Sequence, residues 1–390
     1  MDLEALARSP VGHLVPISGT DPRTGQSWHH QAYVPAPLPE VPQMSLAALN
    51  SSAMAAMEVA RLDQAVSQLP NPEILIRPII RREAVSTSAL EGTYIAFSEI
   101  FEADFIEERK LSSEQREVRN YVVATEQGIN LLETYPISRS LIGKLQKTIV
   151  TGTPSDSFDA GDLRQRQVCI GPKGRLIHEA RFVPPPPGPI LEQGISDWEK
   201  WVNSTNNVPI IAKAALAHYQ FETLHPFADG NGRIGRLTAI LQLVQDHVLS
   251  VPVLNISPLL EVNRDQYQNG LLDVTKTGNF DEWIVFFSEA VRTQAAEGVQ
   301  KINNLLSLRD SMVAELRSAE VRGSALQIAE NLIGYPVIDV PTARSLTGKS
   351  FQAANQAVAR LVDQGILQEI TGRPQDRLFL CTRAIALIEA

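Results

Sequence analysis

Apolar positions recur at helical spacing from Met44 to about Ile106, first through Leu46, Leu49, Met54, Met57, Ala60 and Leu62, then through Ile74 to Leu90. Gly92 stands where the second stretch should stop, since glycine takes up the left-handed conformation that ends helices. The same period predicts helices at about 113–134, 138–150, 189–203, 208–224, 233–248, 256–275 and 279–308, separated by short Gly, Pro or Asn breaks. The helix at 233–248 carries a stripe of Ile234, Leu237, Leu241, Val244 and Val248, which predicts one buried face with Arg233 and Arg236 off it. The expected fold class is therefore mainly α, a helical bundle.

Three segments depart from that period. Residues 1–43 hold seven of the 25 prolines, including Pro35, Pro37, Pro39 and Pro42, whose missing donors argue for an extended arm. Gln167 to Ile170 and Leu176 to Val183 read as two short strands around the turn Gly171-Pro172-Lys173-Gly174, stopped by Pro184 to Pro187. Beyond Gly323 the order becomes helix 324–333, short helix 341–347, helix 350–363, then strands at Ile366–Ile370 and Leu378–Cys381 around a turn. That order predicts a C-terminal winged helix-turn-helix. Its third helix has a stripe of Phe351, Ala354, Val358, Leu361 and Val362, leaving Gln352, Asn355, Gln356 and Arg360 outward as a recognition helix would.

Charge narrows the partners. The chain of 390 residues has a formal net charge of -9, so it has no general attraction for nucleic acid or anionic membrane, and phosphate binding must be local. Residues 324–390 carry six basic and six acidic side chains, too balanced to neutralise a run of DNA phosphates. DNA binding by this module is disfavoured, though not excluded, and a protein contact or a homodimer interface is the expected role. The N-terminus, with Asp2 and Glu4 among its first residues, has no leader pattern, and no apolar run approaches a membrane span. Cys169 and Cys381 stand too far apart for a metal site or disulfide framework, so a cytoplasmic setting is expected.

The densest chemistry lies in His225-Pro226-Phe227-Ala228-Asp229-Gly230-Asn231-Gly232-Arg233-Ile234-Gly235-Arg236, a loop entering a helix. Gly230, Asn231 and Gly232 let backbone N–H groups approach an anion at the positive end of the helix dipole. Arg233 and Arg236 present guanidinium forks suited to adjacent phosphates, and Asp229 can hold a magnesium ion. His225 at the other lip can take a proton from an incoming hydroxyl as diphosphate leaves. Each fragment alone also serves as an ordinary cap or turn; together within twelve residues they point to a transfer site.

This stretch resembles the signature of the Fic family, His-x-Phe-x-Asp/Glu-Gly-Asn-Gly-Arg-x-x-Arg, at every specified position. The resemblance runs from about Tyr33 to Val291. It implies a protein adenylyltransferase with ATP as donor and Mg2+, acting on a Tyr, Thr or Ser hydroxyl of a target protein or of the enzyme itself. By the same resemblance His225 is the general base, Phe227 anchors the loop, Asp229 is the metal ligand, and the stretch from Gly230 through Ile234 and Gly235 to Arg236 holds the phosphates. Arg233 meets the β-phosphate and Arg236 the γ-phosphate. The segment Val168 to Val183 resembles the family's target-docking flap, with Val168, Cys169, Ile170 and Gly171 beside the nucleotide and Gly161-Asp162-Leu163-Arg164 leading into it. Asn263 to Tyr267 and Asp281 to Trp283 also resemble the core, Tyr267 being either an adenine contact or plain packing.

Glu91 ends a helix, where the negative end of the dipole makes an unpaired acid unfavourable, so it wants a cationic partner. Thr87-Ser88-Ala89-Leu90-Glu91-Gly92 matches the family's inhibitory pattern, Ser/Thr-x-x-x-Glu-Gly/Asn, and the implied partner is Arg236. The resulting organisation is 1–110 arm and inhibitory region, 111–300 catalytic core, 301–323 connecting helix and 324–390 winged helix. Two other readings stay open: the same fold removing AMP with Glu91 positioning water, and a nucleotide-responsive DNA-binding regulator.

Overall fold

The computed structural model describes residues 1–20, 25–68, 71–171, 176–373 and 375–389. Several of its helices begin where a short polar side chain takes an N–H three residues ahead: Ser45 from Ala48, Ser112 from Gln115, Ser138 from Leu141, Asp339 from Thr342 and Ser350 from Ala353. In chain order the elements open with α1 (Leu3–Ala7), β1 (Gly12–Thr20), β2 (Ser27–Pro35), α2 (Leu46–Ser67), α3 (Glu73–Leu90) and α4 (Glu99–Glu102). The middle of the chain forms α5 (Ser113–Leu132), α6 (Arg139–Val150), α7 (Pro189–Val202), α8 (Ile210–Leu224), α9 (Asn231–Gln245), α10 (Ser257–Val262), α11 (Arg264–Thr277) and α12 (Asp281–Ser318). The protein is mainly helical, as its periodicity predicts.

The bundle is built around α8, whose Ala212, Ala214, Ala215 and Ala217 let neighbours approach closely, and which is buried on nearly every side. Trp198 and Trp283, both buried, satisfy their indole N–H groups on the carbonyls of Ala217 at 2.9 Å and Ala215 at 2.7 Å. Helix α9 packs beside α8 with Ile234, Leu237 and Leu241 fully buried. The expected single buried face is corrected here: Arg233 and Arg236 are 2% and 1% exposed, so α9 is enclosed all round and its cations must find partners inside.

The N-terminal 43 residues are not an extended arm. β1 and β2 pair antiparallel from Gly12 opposite Pro35 to Thr20 opposite Ser27. A two-stranded ribbon leaves each strand a free edge where prolines are tolerated. The ribbon is fastened to the bundle by the Tyr33 N–H on the Val183 carbonyl at 2.9 Å and by Gln220 on the carbonyl of Ala36 at 3.0 Å.

The two strands expected around 167–183 are also corrected. Among the described residues of this segment only Ile170 and Phe182 bridge, and Ile177–Glu179 is a single tight turn; Pro172, Lys173 and Gly174 of the expected loop lie outside them. The carbonyls that a hairpin would use are taken elsewhere: Val183 by β2, Pro184 by Gln167 Nε2 at 2.9 Å and Pro185 by Arg164 Nη2 at 2.6 Å. The helix expected at 256–275 is broken at Asn263 into α10 and α11. Helix α12 runs on to Ser318, because Ile302, Leu305, Leu308, Met312 and Leu316 keep the helical spacing of buried positions beyond 300.

The C-terminal elements are α13 (Ser324–Asn331), β3 (Val337–Ile338), α14 (Val340–Thr347), α15 (Phe351–Asp363), β4 (Gln368–Glu369), β5 (Phe379–Leu380) and α16 (Thr382–Glu389), with the strands in the antiparallel order β3-β5-β4. Ala354, Val358 and Leu361 of α15 are buried as expected, but Phe351, at the first position of the helix, is 56% exposed and leaves the stripe. This module sits on α3 and α12. Pro78 cannot donate to the Ile74 carbonyl, and Gly334 packs against that oxygen; Arg77 lies 4.5 Å from the ring centre of Tyr335, and Arg383 pairs with Glu315 at 2.8 Å. Among the described residues no helix is long and apolar enough to cross a membrane.

Candidate active site

The loop between α8 and α9 is shaped by its own backbone. His225 ends α8 in the left-handed conformation at φ 47°, and its N–H closes on Phe221 at 2.9 Å. Asn231 then ties the loop shut, accepting from the Phe227 N–H at 2.8 Å and donating to the Phe227 carbonyl at 2.9 Å. Phe227 is buried below it. From the outside, Arg164 grips the His225 carbonyl at 2.8 Å through Nε, while Gln146 donates to the Asp229 carbonyl at 3.0 Å. Gly230 turns at φ 80° and its carbonyl receives Ile234 N–H, so the N–H groups of Asn231, Gly232 and Arg233 precede the first intrahelical bond.

A cavity of about 700 Å³ opens beside this loop, and its wall includes Glu91, His225, Gly232, Arg236 and Tyr267, with Ile170 and Gly171 on the side of the 168–183 segment. Those expected residues are brought together. Val168 and Cys169 are not: they line a neighbouring cavity under the β1–β2 ribbon with Trp28 and His178. Ile234 is fully buried, and Gly235 faces Phe221, His218 and Glu222 of α8, where a Cβ would collide; neither offers a side chain to a ligand. The Asn231 side chain is likewise spent on the loop. Tyr267 is packed in the core, its hydroxyl bonded to His218 Nε2 at 2.9 Å within a cluster with Trp283, and it also lines the cavity.

Arg236 is the electrostatic centre. Its Nε donates to the Thr87 hydroxyl at 2.7 Å, and its Nη2 to the Thr87 carbonyl at 3.0 Å and to Glu91 Oε1 at 2.6 Å. Burial works against its charge, but Glu91, Tyr267 and Glu222 together hold it above the ordinary arginine value. Burial likewise disfavours the Glu91 carboxylate, and Arg236 outweighs it, holding Glu91 below the usual carboxylate range. Glu91 Oε1 occupies the space directly over Gly232, where even a Cβ would meet it. The turn that places Glu91 there is a glycine cap: Gly92 at φ 91°, its N–H on Ala89 at 2.9 Å, and the Thr93 N–H on Ser88 at 3.0 Å.

Asp229, its side chain 51% exposed, accepts from Ser155 Oγ at 2.5 Å and lies 3.9 Å from Arg233 Nη2. One accessible carboxylate fits the way Mg2+ is usually held, through one or two carboxylates plus substrate phosphates. Among the described residues no group of three or more acidic, His or Cys side chains forms a metal cage. Sequence reasoning missed Glu117, 3.2 Å from Arg233, and Glu222, a carboxylate lining the cavity. Glu222 was detectable as the lone acid of α8; Glu117 carries no local signal.

Buried titrating groups predict how stability responds to pH. Burial lowers His225 to about 4 and His218 to about 3, so below about pH 6.5 the unfolded chain binds more protons and stability rises with pH. Burial raises Glu83 and Glu222 to about 7, so between about pH 4.5 and 7 the native state binds more protons and stability falls as pH rises. The two slopes oppose each other, and Glu91 adds to the loss on the acid side. Urea midpoints are therefore expected to pass through a shallow maximum near about pH 5.5. A midpoint climbing steadily from pH 5 to 8 contradicts these assignments.

Residues 49–130 match the model of the Fic/DOC family N-terminal region, and residues 136–243 match that of the Fic/DOC family. A probable protein adenylyltransferase of Aquifex aeolicus is 26% identical over 144 residues, 33% of this chain and 45% of that protein. The protein adenylyltransferase fic-1 of Caenorhabditis elegans is 32% identical over 181 residues, 43% of this chain and 32% of that protein. The chain thus spans less than half the length of these curated relatives. A solved Fic family protein from Desulfovibrio desulfuricans shares the fold with a TM-score of 0.57 at 18% identity, covering 88% of this chain and 98% of that one. Through the segments 49–130 and 136–243, which include the loop, Arg236 and Glu91, the chain belongs to the Fic/DOC family.

Proposed function

We propose that this protein is an adenylyltransferase that moves AMP from ATP to a Tyr, Thr or Ser hydroxyl of a target protein or of itself, and that Glu91 holds it off. The observation that carries this reading is the Glu91–Arg236 pair at 2.6 Å, standing over Gly232 in the cavity that His225 lines. The names of the relatives support the activity, and the signature loop supports the chemistry.

In this reading the N–H groups of Asn231, Gly232 and Arg233 and the two guanidinium groups take the polyphosphate, Arg233 at the β-phosphate and Arg236 at the γ-phosphate. The α-phosphorus is then left facing His225. Its imidazole, held neutral by burial, accepts the hydroxyl proton as the oxygen bonds to the α-phosphorus and the bond to the β-phosphate oxygen breaks, releasing diphosphate. Asp229 would hold Mg2+, which supplies charge neutralisation on the phosphates. Segment 168–183 would receive target backbone beside the cavity. The regulatory region is 1–110, the catalytic core 111–300, the connecting segment 301–323 and the appended module 324–390. The order of α13–α15 with the three-stranded sheet supports a winged helix in that module, and its charge balance supports a protein-binding or dimerising role over DNA.

One observation favours a second reading: the Glu91 side chain is 38% exposed and faces the same cavity as His225, a place from which it can orient water for AMP removal. Incubating the Glu91→Gly variant with α-labelled or γ-labelled ATP and Mg2+ separates the alternatives. Adenylyl transfer labels protein from the α position only. Label from the γ position, or none while the wild-type protein, with Glu91 in place, releases AMP from modified protein, overturns it.

A further inference from the structure

Arg236 is not the only cation of this site already held by a carboxylate. Arg233, its side chain 3% exposed, has Nη1 at 3.2 Å from Glu117 Oε2 on α5. The same Glu117 oxygen accepts the Thr93 hydroxyl at 2.8 Å. Thr93 belongs to the turn that carries Glu91: its N–H closes on Ser88 at 3.0 Å, next to the Gly92 N–H on Ala89 at 2.9 Å. From Glu91 to Thr93 the chain is one hydrogen-bonded piece fastened at two points, Glu91 to Arg236 and Thr93 to the Glu117–Arg233 pair.

We infer that Glu117 is the latch of the inhibitory turn, gathering Thr93 and Arg233 on one carboxylate oxygen so that Glu91 stays on Arg236 until Thr93 is released. The inference rests on the autoinhibitory reading of Glu91 and adds its regulation. A polyphosphate arriving at Arg233 competes with Glu117 for the guanidinium, which couples ligand arrival at one arginine to the turn that blocks the other. Thr93 does not line the cavity, so its effect passes either through the turn or through the Glu117–Arg233 pair, and the test separates the two.

A hydrogen bond to a charged acceptor shifts an equilibrium by about tenfold or more. Because the closed turn excludes the γ-phosphate, apparent nucleotide affinity follows the open fraction. The test uses the full chain as wild type, Thr93→Val, Thr93→Ser, Glu91→Gly and the Glu91→Gly/Thr93→Val double variant. Calorimetry with a non-hydrolysable ATP analogue and Mg2+ reads affinity, and α-label transfer reads activity. Thr93→Val is expected to tighten binding and raise labelling about tenfold, Thr93→Ser to behave as wild type, and the double variant to match Glu91→Gly in both readouts. Thr93→Val equal to wild type while Glu91→Gly is activated overturns the latch and leaves autoinhibition standing. An equal gain from Thr93→Val with and without Glu91 also overturns it, because the hydroxyl then acts on Arg233 directly. An inert Glu91→Gly removes the autoinhibitory reading itself, and the latch with it.

Discussion

Replacing His225 by alanine is expected to slow adenylyl transfer by about a hundred- to ten-thousandfold, the span that a positioned general base contributes. ATP affinity should stay within about threefold, because the loop is held by groups the substitution leaves in place. Arg164 grips the residue 225 carbonyl, and Asn231 closes on both backbone atoms of Phe227. In the proposed mechanism phosphate recognition belongs to the α9 N-terminus and to Arg233 and Arg236, not to the imidazole. Alanine must still adopt φ near 47°, a modest strain for a non-glycine residue that should appear as a slightly lower melting temperature. Single-turnover labelling of the Glu91→Gly protein with and without the substitution checks the rate, and calorimetry checks the affinity. A rate within tenfold of the parent would mean that His225 only caps α8.

Glu91→Gly is expected to act in the opposite direction, raising transfer by about ten- to a hundredfold. Glu91 Oε1 holds Arg236 Nη2 at 2.6 Å and fills the space over Gly232, so in the proposed mechanism the carboxylate and the γ-phosphate compete for one guanidinium and one volume. Removing it frees both. It also leaves Arg236, 1% exposed, hydrogen-bonded to Thr87 with Glu222 as the remaining nearby carboxylate, a less fully compensated buried charge that should lower the melting temperature without ligand. ATP with Mg2+ should restore the loss more fully in the variant than in wild type. Thermal denaturation with and without nucleotide reads this directly. Equal ligand-induced shifts in the two proteins would contradict competition at Arg236.

The parts of this account legible in the sequence are those whose chemistry is local. His225 to Arg236 lie on one loop and helix start, and the roles expected of them rest on residue type, spacing and the family resemblance. Glu91 was legible because a carboxylate at a helix C-terminus needs a cation, although only the fold shows Thr87 closing the same guanidinium. The ribbon of β1 and β2 was hidden by prolines, which bar central strands but not a two-stranded edge. The 168–183 segment failed in the other direction. Its alternation suggested strands, but Arg164, Gln167 and Tyr33 compete for the carbonyls that would have paired. Glu117 could not be foreseen at all, since it meets Thr93 from 24 positions away and Arg233 from 116. Long-range pairing is set by how α3, α5 and α9 pack, and nothing in any one of those helices announces it.

His225-dependent transfer restrained by Glu91 is read most directly from the intact mass of Glu91→Gly and of Glu91→Gly/His225→Ala after incubation with ATP and Mg2+. The first protein, or a target added to it, is expected to gain one or more AMP units while the double variant gains none. Equal modification of both, or of neither with any target supplied, would contradict a His225-dependent adenylyl transfer restrained by Glu91.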